Sequence, residues 1–152
     1  MRTSAAVCLV ILLSLVGEAD DSKEEIKKFE GTWITVSAIA DGKKVPEEKF
    51  KASTVTYKAD GTWVVTKGDE KWSGTFTVDP GKKPKTATFV GLSGVFKDKT
   101  TLDIYELEGD TLKYCYVVVP TGKESTKERP TAFESKEGSG HYLYVLKRDK
   151  SK

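Results

Sequence analysis

The chain has 152 residues, and its 25 lysines and arginines are interleaved with 23 aspartates and glutamates, which leaves a formal net charge of +2. No segment is strongly basic, so the composition argues against a nucleic-acid partner. One histidine and two cysteines offer few groups for catalysis or metal binding, and the common nucleophile, phosphate-binding and metal motifs are missing from the sequence. We therefore predict no enzymatic activity, no metal and no cofactor.

Residues 1–19 have the pattern of a secretory signal peptide. Arg2 supplies a positive charge, residues 5–16 form an apolar core, and Gly17 and Ala19 are small residues suited to a cleavage site. The apolar run is shorter than the roughly 18 residues that a membrane-spanning helix needs. The alternatives are a buried helix or a membrane anchor. We predict cleavage near Ala19, export to the periplasm or the extracellular space, and a single mature domain of residues 20–152, monomeric and without a membrane span.

A short helix is predicted at residues 21–29. Ser22 and Glu25 have capping-box spacing, and Ile26 and Phe29 fall on one helix face. From Thr32 onward the dominant hydrophobic period is two, which is typical of strands. Two long connections are predicted, residues 41–52 with a possible helical turn at 46–50, and residues 120–140 with a possible short edge piece at 129–133. The eight predicted strands are residues 32–40, 53–59, 62–67, 71–79, 85–90, 100–108, 111–119 and 142–148.

Eight strands joined mostly by short hairpin connections predict an all-β fold. The arrangement that suits them is an eight-stranded antiparallel up-and-down β-barrel with a short N-terminal helix at one end. Closure removes both edges of the sheet and leaves an interior wide enough for side chains or for one small ligand. A two-sheet sandwich fits the strand count nearly as well.

The segment Gly31-Thr32-Trp33, at the head of the first strand, resembles the Gly-x-Trp signature of lipocalin-like β-barrels. The resemblance implies that Trp33 plugs the closed end of the barrel. It also implies that Arg148, at the end of the last strand, lies over the indole. This pair favours the barrel over the sandwich.

Several segments, kept in order over nearly all of residues 20–152, carry a more specific resemblance. They are Gly31-Thr32-Trp33, Asp41-Gly42-Lys43, Gly74-Thr75-Phe76, Lys82-Lys83-Pro84-Lys85, the run from Ile104 to Cys115, Arg129-Pro130 and Leu146-Lys147-Arg148. Together they resemble an uncharacterised lipocalin-like domain family that is abundant in planctomycete bacteria, often behind a signal peptide. The resemblance implies the fold and an exported bacterial setting, but no activity, substrate or catalytic residue.

The strand faces that we predict to point inward are rich in aromatic side chains. Glu106 is predicted on the same inward face as Leu102 and Ile104, where a carboxylate costs several kcal/mol unless it is paired. The alternative is that Glu106 lies near the strand end and reaches solvent. The predicted ligand-binding residues are Tyr57, Trp63, Trp72, Phe76, Phe89, Glu106, Tyr114, Tyr116 and Tyr144, and Tyr142 is also predicted to face inward.

So many tyrosines suit a polar-lined pocket better than a dry core, because each buried hydroxyl needs a hydrogen-bond partner. We therefore predict an exported lipocalin-like protein that binds a small hydrophobic or amphipathic molecule in the barrel. The ligand would enter opposite Trp33, under a lid formed by residues 41–52. The alternative is a solid-core structural or interaction module of the cell envelope. Cys115 is predicted to be a small core hydrophobe and His141 a rim residue, although a thiol–imidazole pair between them is conceivable.

Overall fold

A computed structural model describes residues 14–151, and its helix α1 spans Ser14–Phe29. The helix ends where we predicted, but it begins seven residues before the predicted start at Asp21. The predicted cleavage position near Ala19 therefore lies inside α1, whereas most of the predicted signal segment lies outside the described residues. Cleavage and export stay predictions. No helix within residues 14–151 is long and apolar enough to cross a membrane.

Nine antiparallel strands form one sheet within the described part of the chain. Each strand of the barrel pairs with the next, and the last pairs with the first, so the sheet closes on itself. A two-residue strand, Lys43–Lys44, pairs only with the end of the first strand and stands outside this ring of eight. The strands are β1 Gly31–Ala40, β2 Lys43–Lys44, β3 Ser53–Tyr57, β4 Thr62–Lys67, β5 Glu70–Asp79, β6 Lys85–Gly91, β7 Lys99–Glu108, β8 Thr111–Pro120 and β9 Tyr142–Arg148. The predicted eight-stranded up-and-down barrel is confirmed, and the sandwich alternative is wrong.

One end of the barrel is filled by a core of buried aromatic side chains. Phe29, the last residue of α1, is 1 % exposed and inserts its ring among those of Tyr57, Phe76 and Tyr105, at centroid distances of 5.6, 5.5 and 5.1 Å. Such tilted and edge-on pairs are the arrangements that the ring quadrupole favours. The helix therefore serves as the plug of this end, as the sequence predicted.

Trp33 and Arg148 complete the closed end. Trp33 is fully buried and donates its indole N–H to the Phe29 carbonyl at 2.8 Å. The Arg148 guanidinium lies 4.3 Å from the centre of the indole ring and also donates to the carbonyls of Glu30 and, at 3.0 Å, Lys28 at the end of α1. Gly31 has a φ of +127°, which L side chains rarely adopt, and a Cβ there would lie 2.9 Å from a guanidinium nitrogen of Arg148, so a substitution would strain the backbone and displace Arg148. The predicted closure pair is confirmed.

A long connection crosses the outside of the barrel. Residues 121–141, here called the strap, contain no strand or helix, so the predicted edge piece at residues 129–133 is wrong. Arg129 fixes the strap to the sheet by donating to the carbonyl oxygens of Ala87 and, at 2.6 Å, Asp103. Beneath the strap lie Ile104 and Cys115, paired across β7 and β8 and at most 1 % exposed although they point away from the barrel interior. The strap thus gives the barrel a second, external core.

Candidate functional site

A cavity of about 330 Å³ occupies the half of the barrel opposite Trp33. The strand registers place Ser53, Lys67 and Lys99 at the far end of the barrel from Trp33, and all three line the cavity, which locates its mouth there. The volume falls at the lower end of the range found for small-molecule sites. The interior is therefore not a solid core, and the cavity is large enough for a small ring compound.

Seven of the nine predicted ligand-binding residues line this cavity. A strand exposes every second side chain to the interior, so the period-two pattern was sufficient to select them. They are Tyr57, Trp63, Trp72, Phe89, Tyr114, Tyr116 and Tyr144.

Tyrosine rings on β8 and β9 form one wall. Tyr114 stacks on Tyr144 with centroids 5.7 Å apart, and Tyr116 stacks on Tyr142 at 5.0 Å, as the strand register pairs them. Tyr142 thus extends the wall but does not itself line the cavity. Burial raises the pKa of the Tyr114 and Tyr116 hydroxyls well above the ordinary value, so these groups stay protonated and can donate hydrogen bonds.

The wall contributed by β4 and β5 contains two indoles held by a loop at the mouth. Phe96 places its ring edge-on against Trp63 at 5.6 Å and Trp72 at 6.1 Å. The loop can approach Trp72 because Gly94, at φ +61°, has no side chain; a Cβ there would lie 1.6 Å from the indole. These indoles should report occupancy of the cavity by fluorescence.

The connection that we predicted to act as a lid lies at the mouth of the cavity, although its action as a lid stays a prediction. The connection of residues 41–52 contains β2 and a single helical turn, Glu47–Lys49, and two of its residues, Lys49 and Phe50, line the cavity. The other charged residues that line the mouth are Lys67 and Lys99, both exposed. The rim of the cavity is therefore positively charged.

Two predicted site residues lie elsewhere. Phe76 belongs to the closed-end core, where it stacks on Phe89 at 5.2 Å and supports the cavity floor from below. Glu106 is on the outside of the barrel, exposed, and forms an ion pair of 2.9 Å with Lys113 on the neighbouring strand. The inward assignment of Leu102, Ile104 and Glu106 is wrong. The apolar residues on this face of β7 are covered by the strap, and periodicity alone cannot distinguish a face covered by a strap from a face that points into the barrel.

Asp103 is a buried carboxylate of the cavity that was not among the predicted site residues. It lies on the inner face of β7 between Thr101 and Tyr105, is 2 % exposed, and lines the cavity. Its Oδ1 atom has no hydrogen-bond partner among the described residues. The signal in the sequence is an aspartate that shares one face of β7 with Thr101 and Tyr105. It can be recognised only when that face is known to point into the barrel.

Burial raises the pKa of the Asp103 carboxyl from 3.8 to about 8. The nearby Thr101 hydroxyl and the positive charge of Arg129 act in the opposite direction but do not offset the loss of water. The carboxyl is consequently neutral at pH 7 and can both donate and accept a hydrogen bond. Burial is the main cause of the raised pKa of the Tyr57, Tyr114 and Tyr116 hydroxyls, and the Asp103 carboxylate, once ionised, raises their pKa further.

The structure does not bring Cys115 and His141 together in a site. The Cys115 thiol points outward under the strap, where its partner is the Glu134 carbonyl at 3.4 Å, and burial raises the pKa of the thiol. The His141 carbonyl accepts hydrogen bonds from Ser135 and from the Asp41 backbone N–H, which ties the strap to the lid connection. Within residues 14–151, no group of three or more potential metal-binding side chains is clustered.

Comparison with known proteins gives one weak structural likeness. No protein-family model and no curated protein matches the sequence. Among solved structures, a DUF4847 family protein from Bacteroides vulgatus is similar, with a TM-score of 0.48 and 14 % sequence identity over 84 % of this chain and 98 % of that chain. A likeness at this level says nothing about function. Membership of the lipocalin-like family suggested by the sequence segments stays a prediction.

Proposed function

We propose that this protein is a non-catalytic binding barrel for a small hydrophobic or amphipathic molecule, and that it acts outside the cytoplasm. The observation that carries the proposal is the cavity of about 330 Å³ with aromatic side chains on facing walls. Apolar ring faces would supply most of the affinity by burying ligand surface, and the few polar groups would fix its orientation. The closed end contributes rigidity, because a packed aromatic core and the helix plug hold the strands that shape the cavity.

Export is the second part of the proposal. It is supported by the signal-peptide pattern of residues 1–19. The resemblance to a lipocalin-like domain that often follows a signal peptide agrees with this setting.

Binding can be tested by tryptophan fluorescence, since Trp63 and Trp72 line the cavity. We expect quenching on titration with members of a panel of fatty acids, quinones and aromatic dyes, and a bound species in native mass spectrometry of untreated protein. Val65→Phe fills part of the cavity and should weaken binding at least about tenfold by steric exclusion. Val64→Phe is the matched control because Val64 precedes Val65 on the opposite face of β4.

The alternative is an interaction module of the cell envelope that uses its loops. A panel that produces neither quenching nor a bound species, or a Val65→Phe variant that binds as tightly as the control, would reject the binding-barrel proposal in favour of this alternative.

A further inference from the structure

The unpartnered carboxyl oxygen of Asp103 is the strongest indication of what the cavity accepts. A buried polar atom without a hydrogen bond costs about 1–3 kcal/mol, so such atoms are rare in folded proteins unless a missing group completes them. Asp103 Oδ1 has no partner among the described residues, although the tyrosine hydroxyls of the cavity and Thr101 are nearby. A ligand that carries a hydrogen-bond donor at its inner end would satisfy this atom.

The charges around the cavity favour a neutral donor over a cationic one. Arg129 lies behind Asp103 on the outer side of the sheet, bonded to the Asp103 carbonyl at 2.6 Å, so a positive charge already faces this strand. The other charged side chains that line the cavity are Lys49, Lys67 and Lys99 at the mouth. A ligand ammonium would have to pass three lysines and then lie close to a guanidinium, whereas a hydroxyl meets no such repulsion.

The same lysines indicate the chemistry of the outer end of the ligand. Asp103 and Lys99 lie on one face of β7, four residues apart, which at about 3.4 Å per residue is about 14 Å. A flexible lysine side chain can turn inward and shorten that distance. A ligand whose anionic group is separated from its hydroxyl by one ring and a short chain would then reach both Asp103 and the Lys99 ammonium. Between the two ends lie Thr101 on the strand and the facing aromatic walls.

From this arrangement we propose that the cavity binds a small aromatic carboxylate with a hydroxyl at the opposite end, the hydroxyl donating to Asp103 and the carboxylate meeting the lysines of the mouth. The inference rests on the proposed binding function and narrows it to one chemical class. The ring of such a molecule would lie against the Tyr114–Tyr144 wall on one side and would face Trp72 across the cavity. Phe89 would form the floor beneath it.

The test is isothermal titration calorimetry at pH 7 with four matched compounds. 4-Hydroxycinnamate carries both end groups, cinnamate lacks the hydroxyl, 4-hydroxycinnamyl alcohol lacks the carboxylate, and tyramine replaces the carboxylate by an ammonium. We expect 4-hydroxycinnamate to bind about tenfold or more tightly than cinnamate, the factor that one well-placed hydrogen bond supplies. It should also exceed 4-hydroxycinnamyl alcohol severalfold and tyramine by a larger factor.

Variants connect each end group to its residue. In Asp103→Leu the preference for 4-hydroxycinnamate over cinnamate should vanish, and in Asp103→Asn it should persist, because the amide oxygen still accepts a hydrogen bond. In the double variant Lys67→Gln/Lys99→Gln the preference for the carboxylate over the alcohol should fall severalfold. Lys58→Gln/Lys147→Gln removes the same charge from exposed positions near the closed end and should leave that preference unchanged. Ratios between ligands cancel any general effect of a variant on folding.

The outcomes distinguish a wrong ligand class from a wrong binding function. If cinnamate binds as tightly as 4-hydroxycinnamate, or if tyramine binds most tightly of the four, the assigned ligand class is wrong while the binding function stands. If the Asp103→Leu variant keeps the full preference for 4-hydroxycinnamate over cinnamate, Asp103 is not the group that accepts the hydrogen bond from the ligand hydroxyl. If none of the four compounds binds and uncharged naphthalene also fails to bind, the cavity is not a ring-binding site and both proposals fall.

Discussion

Replacing Asp103 by asparagine should make the protein more stable at neutral pH and should flatten its pH dependence. The folded-state pKa of about 8 lies far above the ordinary 3.8. Between these values the folded protein holds a proton that the unfolded chain has released, so wild-type stability falls as the pH rises through this window. Asparagine removes the titration but keeps the size of the side chain, and the difference between the two proteins isolates the one group.

The size of the effect follows from the linkage relation. With the carboxyl almost fully protonated in the folded state and almost fully ionised in the unfolded state, each pH unit costs about 1.4 kcal/mol. Between pH 5 and pH 7 the stability of the wild type should therefore fall by about 2–3 kcal/mol relative to Asp103→Asn. The side chain is 2 % exposed, so solvent screening reduces this figure little.

Urea unfolding of both proteins at pH 5, 6 and 7, followed by far-UV circular dichroism, measures the difference. Every other titrating group is common to the two chains and cancels. A difference that stays constant within about 0.5 kcal/mol over this range would show that Asp103 titrates near its ordinary pKa. The burial and the missing partner would then be misjudged, and the inference about the ligand would lose its main support.

Three further predictions concern closure, the mouth and export. Trp33→Ala should lower the free energy of unfolding by about 3–5 kcal/mol because it empties the closed end, and Arg148→Ala by less, about 1–3 kcal/mol, through lost stacking and helix contacts; unchanged urea midpoints for both would contradict the closure. Gly94→Ala should cost about 2 kcal/mol more than Gly109→Ala, because the two glycines share a positive φ but only the Cβ at Gly94 would overlap an indole; equal losses in thermal unfolding would contradict the loop packing. Intact-mass analysis of protein secreted by a bacterial host should show a chain that starts near Asp20, and a full-length cytoplasmic product would refute export.

The barrel could be predicted from the sequence because its determinants are local. Alternation of side chains identifies a strand, the hairpin turns give its limits, and the closing pair of Trp33 and Arg148 stands at the two ends of the meander. The same alternation correctly identified seven aromatic residues that line the cavity. Where a strand has one buried and one solvated face, as β5 does, a period of two is sufficient to identify the side chains that point inward.

The failure on β7 has a physical cause. This strand is covered on both sides, by the cavity and closed core within and by the strap outside, so apolar residues on one face do not identify the interior. Ile104 is buried outside and Asp103 is buried inside, the reverse of what hydropathy suggests. The strap itself is polar and irregular, and no periodic signal shows where such a segment packs. Its anchor, Arg129, could be recognised only once the sheet had formed.

A comparison of the two buried carboxylates in this barrel supports a ligand role for one of them. Glu25 of α1 is 3 % exposed, like Asp103, but it accepts hydrogen bonds from Lys28, Lys85 and Tyr105 at 2.7, 2.7 and 3.1 Å. Burial alone would raise its pKa, yet these partners lower it, so Glu25 is ionised and stabilises the closed end at neutral pH until acid protonates it. The chain can therefore supply partners to a buried acid where the acid has a structural role. Asp103, which faces open space and has an unpartnered oxygen, fits a group that is completed by a bound molecule.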